Sequence, residues 1–240
     1  MKKIALVTGG TSGIGLATVE ALHRKGYIVV FTSSKSQVAG EQIASQDREA
    51  LRYLQCDVTN KDQISSVKDT LVEHYGRLDV LINNAGYTEV VPHSNFEGAT
   101  DELWMKIFTT NVMGTWWMST LFHDLLKAEA GSIVNITSIA GLRPIGSSIP
   151  YSVSKAALNQ MTRLLAASMD NVRVNAVAPG LIDTPWTESW DQLRENVRRV
   201  APLHRSGTPE DVAQVVVSVA EAAYLTGEVI AVDGGLTLKV

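Results

Sequence analysis

The sequence predicts an α/β fold of the doubly wound type, a seven-stranded parallel sheet with helices on both faces. Three observations carry this. Short β-branched runs alternate with helix-period segments along the chain, which is the pattern of βα units. The runs are nearly continuous in apolar residues, as strands buried on both faces are. A length of 240 residues with 45% hydrophobic and 19% charged residues suits one large domain with a full core and falls short of two typical ones.

The first strand is expected at 4–7, where Ile-Ala-Leu-Val follows two lysines; an apolar run of four residues is too short for a signal peptide and reads as a buried strand. The next runs, at 27–31, 51–56 and 80–82, are Tyr-Ile-Val-Val-Phe, Leu-Arg-Tyr-Leu-Gln-Cys and Val-Leu-Ile. The last three, at 132–136, 172–177 and 229–232, are Ser-Ile-Val-Asn-Ile, Val-Arg-Val-Asn-Ala-Val and Val-Ile-Ala-Val. Helical periodicity falls between them at about 14–25, 38–47, 60–75, 101–128, 152–169 and 209–222. No repeat, low-complexity tract or linker divides 1–240, although the stretch from Pro179 to Pro209 is richer in Pro, Trp and charge, and a small substrate-side lobe is expected at about 183–209. Right-handed crossovers and a reversal of strand order leave a crevice at the carboxyl ends of the strands, where such sheets bind ligands.

Composition excludes several classes of function. The net charge of -4, with no basic run interleaved with aromatics, argues against nucleic acid as a partner. No apolar stretch is long enough to cross a bilayer, and the lone Cys56 cannot form an internal disulfide, so a cytoplasmic location is expected. No metal site is expected.

The motifs fall at the strand ends. Gly9, Gly13 and Gly15 stand between the first strand and the amphipathic helix beginning at Ile14, where missing side chains let backbone N–H groups approach a pyrophosphate. The spacing Gly-x-x-x-Gly-x-Gly departs from the Gly-x-Gly-x-x-Gly of most dinucleotide folds, and a plain tight turn is the other reading. The second strand ends in Thr-Ser33-Ser34-Lys35 with no carboxylate to repel a 2′-phosphate. Two hydroxyls and an ammonium there favour NADP(H), with NAD(H) possible, against the alternative of a polar surface loop. Against it, Ser12 in the glycine turn supplies no positive charge for that phosphate.

Tyr151-Ser-Val-Ser-Lys155 places an ammonium one helical turn from a phenol, thirteen residues after Ser138. A free phenol has a pKa near 10, too high for an efficient base at neutral pH, and a nearby cation favours phenolate. Ser138 follows the fifth strand, where its hydroxyl can hold a substrate oxygen; no His with a supporting carboxylate accompanies it, so a hydrolase triad is not expected. Asp57 can accept from an adenine amine or cap the following helix. Asn111 taken alone reads as a helix-packing amide.

Taken together, Thr8 to Gly15, Asp57-Val58, Asn83-Asn-Ala-Gly86, Asn111, Ser138, Tyr151 with Lys155 and Pro179-Gly180 resemble the short-chain dehydrogenase/reductase family over nearly the whole chain. The resemblance implies a Rossmann-type fold and hydride transfer between a nicotinamide and a ketone or secondary alcohol. It implies a catalytic group of Asn111, Ser138, Tyr151 and Lys155, in which Tyr151 carries the proton, Lys155 also holds the nicotinamide ribose, and the bent main chain at Asn111 holds a water connecting Lys155 to solvent. Thr11, Ser12 and Ile14 join the glycine turn, and Asp57, Val58, Asn84, Ala85 and Gly86 take the adenosine side. Pro179, Gly180, Ile182 and Thr184 resemble the segment that holds the nicotinamide carboxamide.

The loop 142–150 and the segment 87–93 are expected to flank a mainly apolar substrate site that includes Ala140, Leu142 and Ile145. Trp186 and Trp190 either wall that site or pack ordinarily, and Arg143 either grips an anion or is solvated. By motif the chain is closest to the 3-oxoacyl-carrier-protein reductases, although basic residues for an acidic carrier are sparse, with His123, Lys127 and Arg163 the candidates. The resemblance also implies a homotetramer, consistent with apolar residues such as Trp116, Trp117 and Met161 on two helices. Two rival readings are a non-catalytic NADPH sensor and a dehalogenase-like lyase without nicotinamide.

Overall fold

The computed structural model describes residues 2–240. Seven strands, β1 (Ile4–Thr8), β2 (Ile28–Ser33), β3 (Leu51–Gln55), β4 (Val80–Asn83), β5 (Ser132–Ile136), β6 (Arg173–Pro179) and β7 (Val229–Val232), form one sheet in the order β3-β2-β1-β4-β5-β6-β7. Every pair is parallel. The order reverses between β1 and β4, which places the crevice of a doubly wound sheet beyond Thr8 and Asn83.

Alternate side chains of each strand enter different cores, as a period of two requires. Ala5, Val7, Val29, Phe31, Ile82 and Val134 pack with α1 (Gly13–Arg24) and α9 (Pro209–Glu221). Ile4, Leu6, Val30, Leu81, Ile133 and Val174 pack on the other face with α3 (Lys61–Tyr75), α5 (Gly114–Leu121), α6 (His123–Ala128) and α7 (Ile149–Ser168). Helix α2 (Gln37–Ala44) lies between β2 and β3 in the chain. No helix among the described residues is long and apolar enough to cross a membrane.

The expected helix at 101–128 is not continuous. Helix α4 (Asp101–Phe108) runs into a π-helical turn, Thr109–Met113, before α5 and α6. The cause is Asn111, whose buried amide accepts from the Tyr87 N–H (2.7 Å) and donates to the Tyr87 carbonyl (3.0 Å) and the Ser154 hydroxyl (3.0 Å). A π-turn in such a place is common at functional sites. Helix α7 starts three residues earlier than periodicity indicates, because Ser148 caps it through the Tyr151 N–H and Pro150 occupies its first turn. The substrate-side stretch holds an unexpected helix, α8 (Asp191–Val200), whose Val197 is buried and whose Arg194, Arg198 and Arg199 occupy other positions.

Candidate active site

The ends of β1, β2, β4, β5 and β6 open into one cavity of about 940 Å³. At β1, Gly9 and Gly13 hold φ of +66° and +52°, conformations that side chains rarely adopt. A Cβ on Gly13 would lie 3.2 Å from the Thr184 methyl, across the cavity that both residues line. Ser12 opens α1 in extended conformation without a side-chain cap, which leaves the first-turn N–H groups unclaimed by it. Gly9, Ser12, Gly13 and Ile14 thus make a wall that fits a pyrophosphate.

Gly15 acts differently from the sequence expectation. It does not line the cavity; a Cβ there would collide with the Gly9 carbonyl and come within 2.5 Å of Asn84 Nδ2, so its missing side chain serves the closure of the turn. Thr11 is also off the wall, which passes through Ser12 and Gly13 instead. The turn is clamped to the end of β4. Asn84 Nδ2 donates to the Thr8 and Gly9 carbonyls at 2.9 and 3.0 Å, and the N–H groups of Asn84 and Ala85 both donate to Thr8 Oγ1 at 3.0 Å. Asn84, Ala85 and Gly86 line the cavity as expected.

On the β2 side, Ser33, Ser34, Asp57 and Val58 line the cavity and Lys35 does not. Ser33 is buried, with its hydroxyl 3.0 Å from the Tyr53 hydroxyl and accepting the Ser36 N–H, which turns the chain so that Lys35 lies exposed beyond the wall. Asp57 does not cap α3: Asn60 does, accepting from Asp62 and Gln63, while Asp57 Oδ1 takes the Thr59 N–H and hydroxyl. Cys56 also lines this end, and burial pushes its thiol up to about 11, so it is no nucleophile at neutral pH.

Ser138, Tyr151 and Lys155 meet at the β5 side of the same cavity. Ser138 starts a short 3₁₀ turn, Ile139–Gly141, and its hydroxyl accepts the Ala140 N–H at 3.1 Å. Lys155 is buried, with Nζ 5.6 Å from the centre of the Tyr151 ring and donating to the Ile136 carbonyl at 2.9 Å. The electrostatics depart from the sequence argument. Burial pushes the Tyr151 phenol up to about 12, offset in part by hydrogen bonding with Ser138, and holds the Lys155 ammonium down at about 8. In the protein alone desolvation dominates both shifts, and the phenol stays protonated at neutral pH. Asn111 is off the cavity wall; it is joined to Lys155's surroundings through Gly86, where a Cβ would lie 3.4 Å from Asn111 Oδ1 and 3.7 Å from Lys155 Nζ.

Pro179, Gly180, Ile182 and Thr184 form the wall beyond β6. Ala140, Ile145, Trp186 and Trp190 line the cavity, and Ile145 and Trp190 also pack against the cluster of Ile139, Leu181 and Val197. Leu142 does not line the cavity, because it closes the 3₁₀ turn and only Ile139 and Ala140 of that turn face inward. Arg143 is exposed and donates to the Thr237 and Leu142 carbonyls. Sequence reasoning missed the wall supplied by Leu193, Val197 and Val200; their spacing of four and three was the available signal. It also missed Leu236 and Val240, for which no local signal exists.

A family model described as enoyl-(acyl carrier protein) reductase matches residues 9–237. A protein of Streptomyces violaceoruber named as ketoacyl reductase 2 of the granaticin polyketide synthase is 48% identical, over 98% of this chain and 96% of that one. The solved structure of a Burkholderia xenovorans protein described as a short-chain dehydrogenase/reductase superposes with a TM-score of 0.91 at 31% identity, over 99% and 98% of the two chains. That of ElxO with NADP bound gives 0.90 at 30% identity, over 99% and 100%.

Proposed function

The chain belongs to the short-chain dehydrogenase/reductase family and is an oxidoreductase acting on a CH–OH/C=O pair, and from this we propose that it reduces a ketone to a secondary alcohol with NADPH. The observation that carries the reading is the convergence of Ser138, Tyr151 and Lys155 on a cavity continuous with the glycine-turn cradle.

The dinucleotide, when bound, supplies the hydride. Gly9, Ser12, Gly13 and Ile14 would hold its pyrophosphate, Asp57, Val58 and Asn84 to Gly86 its adenosine side, and Pro179, Gly180, Ile182 and Thr184 its nicotinamide side. Ser138 steadies the substrate oxygen by a hydrogen bond. Tyr151, protonated at neutral pH, gives its proton to the alkoxide that forms, and the Lys155 ammonium stabilises the phenolate left behind. Asn111 positions the group by fixing Tyr87 and Ser154 around it. Preference for NADP(H) over NAD(H) is supported by the end of β2, where Thr32-Ser33-Ser34-Lys35 contains no carboxylate, and by the NADP bound to ElxO.

A carrier-protein thioester is the second reading of the substrate, favoured by the granaticin relative. Lys127 is paired with Asp170 at 3.0 Å, whereas α8, which lines the cavity, carries the exposed Arg198 and Arg199. A homotetramer is supported by exposed Met113, Trp116, Val153 and Leu164 on the helices of one face, and sedimentation analysis tests it.

The deciding experiment follows NADPH absorbance with wild type and Tyr151→Phe across aliphatic, aryl and diketone substrates and a 3-oxoacyl thioester, repeated with NADH. Turnover that the variant loses while still binding NADPH is the expected result. Turnover retained by the variant removes Tyr151 from its role; binding without turnover by the wild type favours a sensor, and no binding at all favours the lyase.

A further inference from the structure

The wall that carries Trp186 and Trp190 is tied down by Arg194 of α8, whose side chain is only 15% exposed. Nε donates to Asp183 Oδ1 at 2.7 Å, Nη1 to the Glu188 carbonyl at 3.1 Å and Asp191 Oδ1 at 3.0 Å, and Nη2 to the Thr187 carbonyl at 2.6 Å. These bonds engage most of the guanidinium's N–H donors. The segment's other ties are local. The Thr187 N–H donates to the Thr184 carbonyl, the Trp190 N–H to the Thr187 carbonyl, and the Thr187 hydroxyl reaches back to the Ile182 carbonyl. What the segment reaches is the catalytic group: a Cβ on Gly86 would lie 3.7 Å from the Trp186 ring and 3.7 Å from Lys155 Nζ.

We propose that Arg194 is a positioning residue whose planar fork fixes the approach of the Trp186 indole to the reacting atoms and so sets the size of ketone the site accepts. The proposal rests on the cavity being the reductase site. Arg194 itself is off the cavity wall, so its effect passes through the indoles. Its partners are two carboxylates and two carbonyls spread from Asp183 to Asp191, and a rigid fork spans them where the ammonium of a lysine, a point charge, does not. A wall held against the substrate makes its apolar contacts selective, and a loosened wall forfeits them first for the ketone that fills the site.

The test compares wild type, Arg194→Lys and Arg194→Ala in two assays. The first is the rate of chymotryptic cleavage after Trp186 and Trp190 without nucleotide, mapped by mass spectrometry. The second is kcat and KM for cyclohexanone and 4-phenylcyclohexanone, whose phenyl group probes the indole wall; their intrinsic reactivity cancels when the kcat/KM ratio is compared between proteins. Cleavage about tenfold faster in both variants, with the ratio of phenyl to parent ketone lowered about tenfold through KM, supports the proposal. Cleavage at the wild-type rate, an unchanged ratio, equal losses on both ketones, or full recovery in Arg194→Lys overturns it and leaves the reductase reading intact. Absence of turnover of both ketones by wild type overturns that reading and the size-selecting role with it.

Discussion

Replacing Lys155 by Met is expected to stabilise the protein while removing its activity. The ammonium is buried, and desolvation holds its pKa at about 8 against the ordinary 10.5. At ~1.4 kcal/mol per unit, that depression corresponds to about 3 kcal/mol set against folding when the group is charged. Met has similar length and no charge, but it gives up the 2.9 Å hydrogen bond to the Ile136 carbonyl, a loss of about 2 kcal/mol for a bond from a charged donor. The net gain of about 1 kcal/mol corresponds to a rise in Tm of roughly 2–4 °C for a chain of this size. The assay is thermal unfolding of wild type and Lys155→Met without cofactor at equal protein concentration, from neutral pH upward.

The pH dependence has a definite sign. Because the folded pKa is depressed, the wild type carries the full cost below about 8, and the cost disappears as pH rises to 10.5. The gap in Tm is therefore largest near neutrality and closes across that window. Tyr151, raised to about 12, is present in both proteins and cancels. A variant that melts at or below wild type at neutral pH, or a gap that does not change with pH, refutes the reasoning.

Gly15→Ala is expected to lose nucleotide binding and about 1–3 kcal/mol of stability, because its Cβ meets the Gly9 carbonyl; fluorescence titration with NADPH and a urea melt measure the two effects. Arg77→Met strips both hydrogen bonds from the buried carboxylate of Asp79, which also accepts the Ile4 N–H where β1 meets β4, and should lower stability by about 3 kcal/mol in a urea melt. Asp211 is held at about 2 by Arg205 and the Thr208 N–H at the start of α9. Its contribution is present above the ordinary 3.8 and lost as pH falls through about 2, so Asp211→Asn should cost under about 1 kcal/mol at neutral pH, given the exposed arginine, and nothing in strong acid; urea midpoints at the two pH values check it.

Much of the site was legible because its signals are local. Strands such as Ile133 to Ile136 declare themselves by continuous apolar character, and Ser138 follows directly from where that run stops. The glycine turn and the four-residue step from Tyr151 to Lys155 need only chain geometry to be placed at a strand end and on one helix face. Legibility failed where a residue's behaviour depends on a distant partner. Gly15 was read as part of the pyrophosphate wall, yet Gly9 and Asn84 fix its role. Lys35 is exposed beside the cavity-lining Ser34, and its position depends on the turn that Ser33 closes with the Ser36 N–H.

By itself the sequence determined the parallel sheet, the order of its motifs and the chemistry available at the strand ends, since period, turn residues and motif spacing are properties of neighbouring positions. The tertiary structure alone decided that the 101–128 segment breaks at a π-turn, because Asn111 pairs with the Tyr87 peptide 24 positions away. It also decided that Lys155 lies far below and Tyr151 well above their ordinary pKa values. Desolvation and hydrogen-bond satisfaction depend on everything that surrounds a group in space, and most of those surroundings come from elsewhere in the chain.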